Sequence, residues 1–371
     1  MGCMGTVNIY KKVKEIGNKN NNVCHSFLIR STKSDIEYAY KIIYMDALNQ
    51  EEKKHLLNNF EKLKALSHPN IIVLNHAEYA EDKRIIYEIS EYADGGDLQI
   101  KFNEQKKKKE YFEENTLIDW FTQICLALKY IHSKEINMIH RDIKPSNIFL
   151  IKENIAKLGY FGVAKTLKSG LQYTRTIVST PQYSAPEILK NEEYSNKADI
   201  WSLGVTFYQL IILNYPFEGR NEEMEKNILE GKKRPIPEDC SIDKEFIKII
   251  NEMLSEKEDQ RPSAEQILEK GTIKTRMEKF LIENKYDSSN AKKEIDKYGC
   301  ELSKNIEKFK KNSTILVEEE GEIKEFDLEK KNKINEINNK IKADKAIFDL
   351  NRQMTIMSDN IINRAISDKP K

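Results

Sequence analysis

Residues 139–162 read IHRDIKPSNIFLIKENIAKLGYFG. Within this stretch His140-Arg141-Asp142 is followed by Lys144 and Asn147, so a carboxylate, an ammonium and an amide stand within six residues. Thirteen residues past Asn147 come Tyr160, Phe161 and Gly162. Around it lies a chain of 371 residues, enough for two domains or for one large domain and a tail. Its 61 basic and 60 acidic residues nearly cancel, and a nucleic-acid partner usually demands a basic footprint, so no such partner is expected. Cys3, Cys24, Cys125, Cys240 and Cys300 show neither CxxC spacing nor histidine pairing. They suggest neither a zinc site nor a disulfide frame, and they fit a reducing, cytoplasmic setting. No apolar run reaches membrane-spanning length, and no secretory signal opens the chain.

H-R-D followed by Lys and Asn at these offsets is the pattern of protein-kinase catalytic loops. In such loops the Asp accepts the substrate hydroxyl proton and the Asn holds a magnesium ion. The loop should then meet D-F-G, where this chain has Tyr160-Phe161-Gly162. The hydroxyl-positioning half of the pattern is present, and the metal-holding carboxylate is missing.

Upstream, Val23, Phe27 and Ile29, and then Ala39, Lys41 and Ile43, alternate with period two and predict strands. Lys41, in Tyr-Ala-Tyr-Lys, stands where the V-A-I-K lysine would reach the α- and β-phosphates. Gly17 begins what should be a glycine-rich phosphate loop, but Asn18-Lys19-Asn20-Asn21-Asn22 follows and only the first glycine remains. Asparagine tolerates left-handed backbone, yet its side chain obstructs a close approach to phosphate. Residues 51–66 predict an amphipathic helix with Leu56, Phe60 and Leu63 inward, ended by Ser67-His68-Pro69-Asn70. A kinase needs a Glu on this helix to pair with the strand lysine. Counting back from His-Pro-Asn puts Asn59 there, on the inward face, whereas Glu61 points elsewhere. Residues 84–92 predict another strand, leading into the turn-rich Asp94-Gly95-Gly96-Asp97-Leu98.

The sequence resembles the NIMA-related Ser/Thr protein kinases in the hinge phrase EYADGGDL, in residues 111–150, in STPQYSAPEI and in RPSAEQI. The resemblance covers roughly residues 8–283. It implies an α+β, bilobal protein kinase fold, with a β-rich N-lobe over 8–93 and a helical C-lobe over 94–283. It also implies ATP and Mg²⁺ as cofactors of an active member. Carried over residue by residue, Asp142 is the base, Lys144 steadies the transferring phosphoryl group, and Asn147 binds magnesium. The backbone at Glu91 and Ala93 meets adenine, behind which Ser90 is a small residue, while Val23, Ala39 and Phe149 wall its pocket. Arg141 docks a phosphate on the activation segment, where Thr174, Thr176 and Ser179 are candidate phosphosites and Thr176 is best placed. Thr180 contacts Asp142 and the substrate backbone. Glu187 pairs with Arg261, and Asp199 and Trp201 brace the catalytic loop.

Tyr160 changes this expectation. Magnesium takes hard oxygen ligands, and a phenol with a pKa of about 10 is neutral at pH 7. Phosphoryl transfer rests on positioning and charge stabilisation. Asn59 and the asparagine-rich loop weaken the same triphosphate region. The predicted outcome is a pseudokinase that binds nucleotide weakly or without metal and acts as a scaffold or allosteric partner. The alternative is an active Ser/Thr kinase. At the N-terminus, Met-Gly-Cys-Met-Gly-Thr fits a myristoylation pattern at Gly2, with Cys3 open to a second acyl chain, hence membrane association; a chance match is the plain alternative. Residues 284–371 are rich in Lys, Glu and Asn. Residues 315–321 suggest a short strand or turn. Ile334, Ile337 and Ile341, then Ile347, Leu350, Met354, Met357 and Ile361, suggest a helical coiled-coil seam for self-association or a protein partner, or else a helix packed on the large lobe.

Overall fold

The structure is a computed structural model that describes residues 8–17, 24–32, 34–44, 48–82, 84–152, 154–159, 181–237, 240–283, 315–319 and 322–324. Strands β1 (Asn8–Ile16), β2 (Cys24–Ser31), β3 (Glu37–Tyr44), β4 (Leu74–Ala80) and β5 (Ile85–Glu91) pair antiparallel in the order β4-β5-β3-β2-β1. Their period-two side chains separate onto two faces. One face carries Tyr10, Phe27, Ile29, Tyr40, Ile42, Ile85 and Ile89, with Tyr40 stacked on Tyr87 at 6.1 Å between ring centroids. The other face, with Ala77 and Ile86, packs against Leu56, Phe60 and Leu63 of α1 (Gln50–Ala65). Helix α1 starts at a reciprocal cap. Asn49 Oδ1 accepts from Glu52 N at 2.9 Å, and Glu52 Oε2 accepts from Asn49 N at 2.8 Å.

The helical lobe opens at Asp97, whose carboxylate accepts from Ile100 N at the start of α2 (Leu98–Lys108). Four consecutive lysines end this helix: Lys106, Lys107 and Lys108 fill the last turn, where the dipole favours cations, and Lys109 closes it at φ +60°. Helices α3 (Glu114–Ile131) and α4 (Pro186–Leu189) are followed by α5 (Lys197–Ile212) and α6 (Glu222–Leu229). Helices α7 (Lys244–Met253), α8 (Ala264–Leu268) and α9 (Gly271–Glu283) complete the lobe. Of these, α3 and α5 bury most of their side chains and form its core, with Phe121 edge-on to Phe207 and Phe246. A small hairpin, β6 (Ile148–Ile151) and β7 (Ile155–Leu158), follows the catalytic loop.

Asn70, fully buried, ties the two lobes together. Its Nδ2 donates to Gln123 Oε1 and Ala156 O, and its backbone oxygen accepts from Leu158 N at 2.8 Å. A second hairpin, β8 (Ile315–Glu319) and β9 (Glu322–Lys324), falls where the sequence suggests a short strand or turn. Strand β8 pairs parallel to β1, from Asn8 opposite Ile315 to Lys11 opposite Glu318, and extends the sheet to seven strands. That pairing covers the backbone edge that β1 would otherwise expose. The proposed coiled-coil seam lies outside the described residues, and among the described residues no helix is long and apolar enough to cross a membrane.

Candidate active site

The loop between α3 and β6 is shaped by one buried carboxylate. Asp199, in the first turn of α5, accepts from His140 N at 2.8 Å, Arg141 N at 2.9 Å and His132 Nε2 at 2.9 Å. Burial alone would raise this carboxyl, but the hydrogen bonds and charges of His132 and His140 outweigh it and hold Asp199 below the usual carboxylate range. Held at both ends, the backbone turns through Arg141 at φ +68°, a left-handed conformation that a side-chain-bearing residue adopts only when its surroundings impose it. The Arg141 guanidinium lies over the Tyr194 ring, 5.7 Å from its centroid.

That turn delivers Asp142. Lys144 Nζ stands 3.1 Å from Asp142 Oδ2, and Asn147 Nδ2 donates to the same oxygen at 2.8 Å and to Asp142 O at 2.6 Å. The base-type carboxylate, the cation and the amide therefore form one cluster. With both Nδ2 hydrogens directed at Asp142, the oxygen of Asn147 is the atom it has for a cation. Gly159 N donates to Asn147 O at 3.0 Å, and Gly159 O faces His140 Nε2 at 3.0 Å. A β-carbon on Gly159 would lie 3.0 Å from the side chains of both Ile72 and Phe149, tighter than an ordinary contact, so a side chain here would press both neighbours aside. Tyr160 is the next residue and lies outside the described residues, as do Val23, Thr174, Thr176, Ser179, Thr180, Gly2 and Cys3.

On the sheet side, Gly17 ends β1 at φ +91°. Ala39 is opposite Ser90, and Lys41 opposite Glu88, in the β3–β5 register. Asn59 lies on the inward side of α1, three residues after Leu56, and its buried Nδ2 has no hydrogen-bond partner. Glu61 turns outward to Lys64, at 3.2 Å. The connection after β5 is pinned at several points. Glu91 N donates to Val73 O at 2.9 Å, and the Glu91 carboxylate meets Lys157 Nζ of β7 at 2.9 Å. Beyond Ala93, Gly95 N donates to Leu150 O and Leu150 N donates to Gly96 O, which sets Phe149 opposite Asp97 in a β-bridge. Farther out, buried Arg261 grips Glu187 in a two-pronged pair at 2.7 and 2.8 Å and lies over Trp201.

The sequence reading missed three residues here. Glu88 is the one charged residue in the interior of β5 (Ile85-Ile86-Tyr87-Glu88-Ile89-Ser90-Glu91), and a charge inside an otherwise apolar strand was the available signal. Lys157 and Asn70 carried no such signal, because their partners lie far away in sequence.

A magnesium–nucleotide complex needs a carboxylate bridging the metal to the phosphates. Among the described residues the cluster supplies the Asn147 side-chain oxygen and the Asp142 carboxylate, the latter already engaged with Lys144 and Asn147, and no group of three or more His, Cys, Asp or Glu side chains is placed to hold a metal. The position where the kinase pattern has the metal-bridging carboxylate is a phenol, Tyr160. At this position the chain offers no metal-bridging carboxylate.

The family model for the protein kinase domain matches residues 10–272. The chain is 35% identical over 291 residues to the serine/threonine-protein kinase Nek1 of Mus musculus, covering 78% of this chain and 23% of that protein. It is 36% identical over 252 residues to Nek5 of Homo sapiens, covering 67% and 34% respectively. To Nek2 of Homo sapiens it is 36% identical over 238 residues, covering 63% and 53%. A sheet lobe and a helical lobe meeting at a D-x-K-x-x-N cluster define a protein kinase fold, and the chain belongs to the protein kinase family. Within that family its relatives place it in the NIMA-related Ser/Thr branch. The chain spans 23% to 53% of the length of these relatives.

Proposed function

We propose that this NIMA-related protein transfers phosphate poorly or not at all and acts through its surfaces, as a scaffold or an allosteric partner of an active kinase. The observation that carries the reading is Tyr160, a neutral phenol in the place of the metal-bridging carboxylate. Asn59, without charge or hydrogen-bond partner for its Nδ2, and the asparagine-rich stretch after Gly17 support it. Nucleotide then binds weakly or independently of metal, through Lys41 and the backbone near Glu91 and Ala93. The partners are proteins, engaged in part through residues 284–371, and acylation at Gly2 and Cys3 would hold the assembly at a membrane.

A second reading, an active kinase using ATP and Mg²⁺, draws on the close grouping of Asp142, Lys144 and Asn147. Labelled ATP separates the two. Under the first reading, purified chain and its Asp142→Ala variant label casein equally and at background. Robust labelling by the native chain that Asp142→Ala abolishes would overturn that reading.

A further inference from the structure

Strands β3 and β5 are neighbours, and their register sets Lys41 directly opposite Glu88. Ser26 of β2 and Ala77 of β4 stand in the same cross-strand row. Along β3, Tyr38, Tyr40, Ile42 and Tyr44 belong to the aromatic face, and along β5 so do Ile85, Tyr87 and Ile89. Alternation therefore puts Lys41 and Glu88 together on the other face, where Ile43, Ala77 and Ile86 meet α1. Side chains directly opposed on one face have β-carbons about 4.5–5.5 Å apart, well within reach of a lysine and a glutamate. Their charges are coupled. Burial pushes the Glu88 carboxyl up, and the Lys41 ammonium pulls against that rise.

Among the described residues, the groups that β2 sets beside Lys41 are not carboxylates. From β2, Cys24 has a thiol that burial raises and Lys41 lowers, and Ser26 has a hydroxyl. On α1, the position where the kinase pattern has the lysine's carboxylate is an amide, Asn59. In the helix-anchored arrangement of kinases, the strand lysine takes its carboxylate from α1's equivalent, so its position depends on where that helix sits. Here the helix has given up that charge, and a carboxylate stands instead within the sheet that already holds the lysine.

We propose that Glu88 is the anionic partner of Lys41, so that the lysine is positioned from within the sheet and independently of α1. Glu88 is a positioning residue: it sets the direction and protonation of the lysine that reaches for nucleotide phosphate. The inference goes beyond the proposed loss of phosphotransfer and holds whether or not the chain turns over ATP.

The test is the acylation of Lys41 by sulfo-N-hydroxysuccinimide acetate at pH 8 on the full chain, followed by mass spectrometry. Without its anion the ammonium ionises more readily, so Glu88→Gln labels about fivefold faster or more. Asn59→Ala stays within about twofold of the native rate, because it removes no charge. Glu88→Gln combined with Asn59→Glu returns to the native rate, since the carboxylate is restored from the helix; a merely structural role for Glu88 would not be rescued in this way. Glu88→Asp, which keeps the charge with a shorter reach, labels at least about twofold faster and decides the matter if Glu88→Gln does not fold. A native rate in folded Glu88→Gln, or in Glu88→Asp where Glu88→Gln fails to fold, would overturn the proposal. So would failure of Asn59→Glu to rescue.

Discussion

His68 sits between the lobes with its ring stacked on Tyr130, 5.2 Å between centroids, and its Nδ1 accepts from Asn70 N at 3.0 Å. Accepting that hydrogen bond fixes the ring as the neutral form protonated at Nε2. Burial, helped by the charge of Lys157, lowers its pKa from about 6.5 to about 3. For a histidine whose folded value lies below its unfolded one, the stabilisation is complete above the unfolded value and is lost as pH falls toward the folded value. The native chain should therefore lose about 1–2 kcal/mol more unfolding free energy between pH 8 and pH 5 than His68→Gln does, measured by urea unfolding at each pH. Equal losses would show that the ring titrates normally. The residues of the catalytic cluster could be found in the sequence because they are local: Asp142, Lys144 and Asn147 lie within six positions. Glu88 showed only as a charge inside an otherwise apolar strand; its meeting with Lys41 could not be read, because that depends on the pairing of two strands whose register no single strand reveals.

Helix α1 illustrates what periodicity can and cannot say. The spacing of Leu56, Phe60 and Leu63 gave the helix and its buried face, and the structure bounds it at Gln50–Ala65, one residue from the expected limits at each end. The cap that starts it is written in Asn49 and Glu52, an asparagine followed three residues later by a glutamate, and was readable on the same grounds. Once the lysine's carboxylate resides on β5, α1 is held by its apolar face, its cap and the ion pair of Lys53 with Glu81. Asn49→Ala should cost about 1 kcal/mol of unfolding free energy, seen as a lower urea midpoint at unchanged slope, and Asn49→Ser should recover most of it. No loss in Asn49→Ala would mean that the cap contributes nothing to α1. The parallel pairing of β8 with β1 had no counterpart in the sequence reading, since a five-residue strand does not disclose which edge it joins.

At the scale of the molecule, the described parts that shape a kinase domain persist, while the sequence departs from the kinase pattern at the metal-bridging position. The Arg261–Glu187 pair, the Asp199 brace and the Asn70 tie between lobes are buried interactions. Losing one partner of a buried ion pair typically costs about 3–5 kcal/mol, so these residues hold the fold whether or not it catalyses. Against that intact frame, Tyr160 removes the carboxylate that ties a divalent ion to the phosphates, and Asn59 removes a charge that Glu88 is placed to replace. On the proposed reading the lysine side of the cleft and the metal side are thereby separated: the first keeps an anion beside its cation, and the second loses its ligand. A thermal melt of the purified full chain with ATP, run in parallel with Mg²⁺ and with EDTA, probes that separation. The two samples should shift equally. An ATP-induced stabilisation that appears with Mg²⁺ and vanishes with EDTA would contradict the account.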